Sequence, residues 1–183
     1  MNKEEILNWA KRYDKDHPVW TQTEKELGDK FRKTKEVTKD DLKKVVEWKF
    51  MDLPTWKEDR LKDVDKIDDD EIRRRSREVF GKAENDSDRV NKLKFSGVGT
   101  AIVSVILTFY NPKEYGVFDR HVWQGLFGEQ PQDFFTKEFY ANTENYLMVL
   151  KRLRDEAEEY NLDVRTVEKA YFKKHKSKPK KRY

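Results

Sequence analysis

The stretch LKFSGVGTAIVSVILTFYNP, residues 93–112, decides the fold because it joins two helical patterns through a turn with two glycines. Gly97 and Gly99 permit positive φ and a close approach of another backbone. The apolar run after the turn predicts a helix that ends at Asn111-Pro112. The N–H groups that open this helix have no partner inside it and lie at its positive end. Such a corner can bind a phosphate without reading base sequence.

The rest of the chain also shows apolar residues at the helical period, which predicts an all-α fold. Residues 86–95 form the helix before the turn in this interpretation, and residues 116–118 are extended without forming a convincing strand. Polar residues suited to helix starts are Thr23, Thr38, Asp119, Asn142 and Asp163. We therefore expect one compact multi-helix domain that contains a helix-hairpin-helix motif.

The composition limits the classes of function. With 183 residues, 13% of them aromatic, the chain can build one core but not several independent domains. The absence of cysteine excludes a disulfide framework, a thiolate zinc site, an iron–sulfur cluster and a cysteine nucleophile. No apolar run could span a bilayer, and no signal-like segment follows Met1. We expect a cytoplasmic protein without a membrane partner.

The positive charge is concentrated at one end of the chain. Residues 173–183 contain seven basic residues and no acid, which leaves 33 basic against 36 acidic residues elsewhere. This contrast predicts a helical domain over residues 1–172 and a flexible basic tail over residues 173–183. A basic arm on a mildly acidic body favours a polyanionic partner, although a solubilising terminus would have the same composition.

Two segments in sequence order resemble the helix-hairpin-helix DNA glycosylase superfamily: FSGVGTAIVSVIL, residues 95–107, and VFDRHVW, residues 117–123. In that superfamily a Gly-Val-Gly hairpin opens an apolar helix, and a short loop then delivers a Val-Asp-x-His segment. Asp119 follows Ala101 by 18 residues, which is similar to the endonuclease III spacing. The pattern Asp119-x-His121-x-Trp123 is more similar to 8-oxoguanine DNA glycosylases. The resemblance covers residues 90–128, about a fifth of the chain, and implies a hairpin motif over 86–110 and an Asp-x-His segment over 117–127.

The resemblance implies specific roles for the matching residues. Asp119 would be the catalytic carboxylate, because breaking a base–sugar bond builds positive charge on the sugar. The DNA backbone would be contacted by Ser96, Gly97, Val98, Gly99, Thr100 and His121. Trp48 and Trp123 are candidates for the pocket that receives the flipped nucleotide. Each assignment has a structural alternative, since Asp119 can simply cap a helix and the tryptophans can simply pack in the core.

Ala101 departs from the pattern of the bifunctional members, which carry a lysine nucleophile two residues after the second glycine. We therefore expect a monofunctional enzyme. The resemblance also implies that the carbonyls of Leu93, Phe95 and Val98 could hold a monovalent cation. The acidic run at residues 68–71 fits compensation of a helix dipole better than a metal site, so we expect no side-chain metal and no other cofactor.

The sequence thus predicts a DNA N-glycosylase that removes a damaged base, with an oxidised purine such as 8-oxoguanine indicated by the Asp-x-His-x-Trp pattern. Its partner would be double-stranded DNA, and it would act as a monomer. Two alternatives stay open: a non-catalytic helix-hairpin-helix DNA-binding module, and a helical protein-interaction domain whose basic tail only adds solubility.

Overall fold

The computed structural model describes residues 1–81 and 85–178, which form eleven α-helices and one short 3₁₀ turn, Gln132–Phe134. The helices are α1 Lys3–Asp16, α2 Pro18–Thr34, α3 Lys39–Lys49, α4 Pro54–Asp65, α5 Asp69–Gly81, α6 Asp86–Lys92, α7 Thr100–Tyr110, α8 Arg120–Phe127, α9 Lys137–Ala141, α10 Thr143–Tyr160 and α11 Val164–Lys176. Within the described ranges no strand forms, and one isolated bridge joins Phe95 to Val98. The prediction of an all-α fold is confirmed.

Helix α7 lies at the centre of the molecule. Ten of its eleven residues are buried, as expected for a helix that is apolar on every side. Helices α2, α3, α6, α9 and α10 pack around it, so the turn that opens α7 is held from several directions. In the part of the chain that the structure describes, no helix is both long and apolar enough to cross a membrane.

Helix α11 brings the two ends of the described chain together, because it packs along α1 and also contacts α8 and α10. It continues through Lys176, so the first residues of the predicted basic tail are helical. Lys173 pairs with Asp16 at 2.6 Å, and Lys174 lies 3.6 Å from Glu5. The tail residues Lys180, Lys181 and Arg182 lie outside the described residues.

Several predicted helix ends are confirmed and two are wrong. Thr38 forms a capping box with Asp41 at the start of α3, and Asn142 caps α10. Helix α2 begins at Pro18, a residue suited to the first helical position, so Thr23 lies inside the helix and does not cap it. Helix α6 ends at Lys92 rather than at residue 95, because the backbone from there on is folded into the turn before α7.

Candidate active site

The turn between α6 and α7 is fixed by contacts with two neighbouring helices. Gly97 has a φ of 79°, and a Cβ added there would lie 2.3 Å from the Asp63 Cβ on α4. Glycine is therefore required at this position by both conformation and space. From α5, the Arg75 guanidinium lies over the Phe95 ring at 4.5 Å. The side chain of Val98 is fully buried and attaches the turn to the core.

The start of α7 offers free backbone donors. The N–H groups of Gly99, Thr100 and Ala101 donate to no other group among the described residues. Thr100 is fully buried and its hydroxyl donates to the carbonyl of Ala141 at 2.9 Å, so the ligand-accessible donors are the N–H groups of Gly99 and Ala101. Together with the positive end of the helix, these donors form a corner suited to an anion.

Asp119 begins α8 and is tied to the first turns of α7. Its Oδ1 accepts the backbone N–H of His121 at 2.8 Å, which confirms the predicted cap. The N–H of the preceding residue, Phe118, donates to Ser104 Oγ at 2.8 Å. Ser104 in turn donates to the carbonyl of Ala101 at 2.8 Å. This chain of hydrogen bonds fastens the loop that carries Asp119 beside the glycine turn.

The second oxygen of Asp119 faces a lysine from a distant part of the sequence. Lys49, the last residue of α3, donates from Nζ to Asp119 Oδ2 at 3.1 Å and to the Phe118 carbonyl at 2.9 Å. Its side chain is 8% exposed and that of Asp119 is 24% exposed. Sequence reasoning missed Lys49. The available signal was its position on the same helical face as the buried Val45, four residues earlier.

The contact with Lys49 determines the charge of the Asp119 carboxyl group. Burial raises the pKa of Asp119, but the Lys49 ammonium and the hydrogen bond from the His121 N–H outweigh it, so the pKa lies below its usual value. Asp119 is therefore an anion at neutral pH. Burial, and next the charge of Asp119, raise the pKa of Tyr140, so the Tyr140 phenol stays protonated and can act as a donor.

The glycine turn and Asp119 line one cavity of about 730 Å³, which lies within the range of small-ligand sites. Cationic side chains outnumber anionic ones around it: Lys49, Arg60, Lys94, Arg120, Lys137, Arg165 and Lys176 against Asp52, Asp119 and Glu168. The wall also holds many aromatic rings, among them Trp20, Trp48, Trp56, Phe95 and Tyr140. A cationic and aromatic cavity suits a ligand that has both phosphate groups and flat rings.

His121 lines this cavity and is connected to two further titratable groups. Its Nδ1 lies 2.9 Å from Nδ1 of His175, whose Nε2 lies 2.9 Å from a carboxylate oxygen of Glu129. Burial lowers the pKa of His121 to about 4, so the ring is neutral at pH 7. The predicted phosphate contact would therefore be a hydrogen bond rather than an ion pair. It requires a proton on His121 Nε2, so His121 Nδ1 accepts, and His175 must then donate from both ring nitrogens, to His121 and to the Glu129 carboxylate.

The two predicted pocket tryptophans lie in different places. Trp48 lines the cavity, and its indole N–H donates to the carbonyl of Trp20 at 3.0 Å. Both tryptophans are 6% exposed, but Trp123 is not among the lining residues of the cavity. It packs instead in an aromatic cluster with Phe127, Phe134 and Phe139.

The other residues that were predicted to bind DNA or a cation differ in how accessible their polar groups are. Ser96 is exposed at the tip of the turn. The Val98 N–H already donates to the Phe95 carbonyl at 2.9 Å, so Val98 has no N–H left for a phosphate. The carbonyls of Phe95 and Val98, two of the three proposed cation ligands with Leu93, each accept the N–H of the other. Within residues 1–81 and 85–178, no group of three or more His, Asp or Glu side chains is arranged to hold a metal ion.

Comparison of the chain with protein-family models, with curated proteins and with solved structures gives no match. Its function is therefore inferred from its own residues.

Proposed function

We propose that this protein is a DNA N-glycosylase that removes a damaged base from double-stranded DNA, acting as a cytoplasmic monomer. The observation that carries the proposal is that the glycine turn and the Asp119 carboxylate line the same cationic cavity. A corner that holds the sugar-phosphate backbone and a carboxylate that faces the sugar are the two parts that this chemistry needs. In this proposal the turn acts as the hairpin of a helix-hairpin-helix motif.

The free N–H groups of Gly99 and Ala101, which line the cavity, bind a backbone phosphate next to the damaged nucleotide. That nucleotide rotates out of the duplex into the aromatic part of the cavity, where Trp48 lies. The phosphate contact does not depend on base sequence, so the aromatic wall decides which base is accepted. An oxidised purine such as 8-oxoguanine is the substrate class that the Asp-x-His-x-Trp resemblance favours.

The chemistry of base release depends on the charge of Asp119. As the bond between C1′ and the base nitrogen lengthens, positive charge develops on the sugar ring. The ionised carboxylate stabilises this charge and accepts a proton from the water that adds to C1′. The base leaves with the bonding electron pair and takes up a proton. Position 101 is alanine, so the first turn of α7 supplies no amine for this step.

The test is incubation with duplexes that each carry one lesion, followed by alkali, which breaks the strand wherever a base has been released. Asp119→Asn should lower base release by about 100-fold or more, because it removes the charge. Asparagine can still cap α8 and accept from Lys49, so duplex affinity should not fall. Asp163→Asn is the matched control, since Asp163 starts α11 and does not line the cavity.

Release of no base from any lesion, with duplex binding retained, would favour the non-catalytic DNA-binding module instead. Loss of binding as well would favour the protein-interaction domain. Full activity of Asp119→Asn would contradict the proposed role of this carboxylate even if the enzyme is a glycosylase.

A further inference from the structure

The Lys49 amine is an unassigned reactive group beside the proposed catalytic carboxylate. It lies outside the stretch that resembles the glycosylases and reaches the cavity from the end of α3. Its Nζ is 3.1 Å from Asp119 Oδ2, so a sugar seated against the carboxylate is also within reach of the amine. The inference below deepens the proposed function and rests on it for the seating of the sugar.

We propose that Lys49 is an amine nucleophile that forms an imine with C1′ of an abasic site and thereby cleaves the DNA strand. The substrate of this second activity is the aldehyde form of the sugar that base release leaves behind. Strand cleavage would then originate from α3, although position 101 of the turn carries no lysine.

The surroundings of Lys49 distinguish it from the other cavity lysines. Lys94 donates to the carbonyl of Ala141 and to the Thr143 hydroxyl. Lys176 donates to Asp52 at 3.0 Å, and Lys137 is an exposed residue whose amine is not held by buried groups in the part of the chain that the structure describes. Lys49 is the lysine whose amine contacts Asp119 among the described residues, and its side chain is held in place at 8% exposure. A fixed amine loses little conformational freedom on reaching the transition state.

The carboxylate next to the amine also supplies the proton acceptor that the reaction needs. One proton passes from Lys49 Nζ to Asp119, and the nitrogen lone pair attacks C1′ of the aldehyde. The adduct loses water to give the imine. A base then removes a proton from C2′, a double bond forms between C2′ and C3′, and the bond from C3′ to the phosphate oxygen breaks. The phosphate leaves with the electron pair, and water hydrolyses the imine to restore the amine.

A simpler role for Lys49 would be to keep Asp119 charged. The two roles are separable, because arginine preserves the positive charge but forms no imine with an aldehyde. The Lys49→Arg variant therefore removes the nucleophile and keeps the ion pair.

The experiment uses the full chain and a duplex with one preformed abasic site, treated with sodium borohydride, which reduces an imine to a permanent bond. We expect a covalent protein–DNA adduct with the wild-type protein, and we expect peptide mapping to locate it at position 49. Lys49→Arg should lose the adduct. Lys30→Arg should retain it, because Lys30 likewise pairs with an aspartate, Asp41 at 2.7 Å, but does not line the cavity.

Failure of this inference is distinguishable from failure of the proposed function. Preformed abasic DNA bypasses base release, whereas the lesion panel with alkali measures base release alone. Base release without an adduct, or an adduct mapped to another amine, overturns the role of Lys49. An adduct at position 49 without base release supports Lys49 and contradicts the glycosylase. If Lys49→Arg does not fold, mapping of the wild-type adduct still decides.

Discussion

Asp119 combines a structural role and a proposed chemical role in one side chain. One oxygen accepts the N–H that opens α8 and the other accepts the Lys49 amine, so the orientation of the carboxylate is fixed before any ligand binds. A group held by contacts from two elements needs little rearrangement at the moment of reaction. The sequence predicted the first contact, because a cap is a local pattern.

The contact with Lys49 could not be predicted in the same way. Lys49 and Asp119 are 70 residues apart, and no local period relates them. The same limit applies to the tryptophans. Trp48 and Trp123 both occupy buried helical positions, yet only the packing of whole helices decides that Trp48 lines the cavity and Trp123 does not.

The pH dependence of base release tests the coupling between Lys49 and Asp119. In Lys49→Gln the cation that lowers the pKa of Asp119 is gone and burial, which raises this pKa, remains. A larger fraction of the molecules then has a protonated Asp119 at any acidic pH, so the acidic limb of the rate profile should move to higher pH. Lys49→Arg should keep the limb close to its wild-type position. An unshifted limb in Lys49→Gln would show that another group titrates there.

At the scale of single elements, the sequence predicted where the turn before α7 lies but only part of its conformation. The glycines and the apolar helix are readable from sequence, but the exchange of hydrogen bonds between Phe95 and Val98 is not. That bridge shortens α6 and occupies one donor that the family resemblance assigns to a phosphate, the Val98 N–H. Glycine at position 97 has a second reason that the sequence does not contain, namely the approach of Asp63 from α4.

Two glycine substitutions separate the requirement for positive φ from the requirement for space beside Asp63. Gly97→Ala and Gly128→Ala both place a side chain at positive φ, at 79° and 94°, and each should cost about 1–3 kcal/mol of unfolding free energy. A Cβ at position 97 also collides with Asp63, whereas one at position 128 meets no atom within 4 Å. We expect only Gly97→Ala to weaken duplex binding, measured by titration. Equal affinities would mean that the shape of the turn does not matter for DNA.

Ser104 on α7 connects the first turn of this helix to the loop that carries Asp119 through hydrogen bonds. Ser104→Ala leaves the buried N–H of Phe118 without its acceptor, which should cost about 1–3 kcal/mol in urea unfolding and also reduce base release. Thr108→Val is the control on the same helix. The Thr108 hydroxyl donates only to a helix carbonyl, so its loss leaves no backbone N–H without an acceptor. The free energy of unfolding should therefore fall by about 1 kcal/mol or less. A Ser104→Ala variant as active as the wild type would separate the loop position from catalysis.

At the scale of the whole molecule, a buried ion pair connects the beginning and the end of the described chain. Arg165 on α11 is 4% exposed and donates to both carboxylate oxygens of Glu24 on α2, at 2.9 and 2.8 Å. Burial raises the pKa of Glu24, but Arg165 and Lys169 outweigh it and the pKa lies below the usual value. The stabilisation is thus present above the pKa of the unfolded chain and is lost as the pH falls through the folded value.

Glu24→Gln should therefore lower the free energy of unfolding by about 2 kcal/mol or more at pH 7, because Arg165 loses a charged partner. The difference from the wild type should shrink in acid, where Glu24 itself becomes neutral. Urea titrations at both pH values measure it. Glu26→Gln, an exposed position on the same helix, is the control and should change stability by less than about 0.5 kcal/mol. A penalty that persists unchanged in acid would point to packing rather than charge.

The all-α fold class could be predicted from the sequence because helical periodicity and helix caps recur along the chain. The arrangement of the helices was not, since it depends on contacts such as that between Arg165 and Glu24, 141 residues apart. The same limit applies to the partners of the basic residues after position 172. Lys173 lies in a helix that packs on α1, and there it pairs with Asp16.

Trp56 gives the cavity a property of practical use. It lies on the cavity wall, 43% exposed, with its ring stacked on Phe50 at 6.4 Å between centroids. The fluorescence of an indole depends on whether water or a stacked base surrounds it. Filling of the cavity by nucleic acid would thus change the emission of the unlabelled protein, and Trp56→Phe would reduce this change, because Trp20 and Trp48 also line the cavity but are buried.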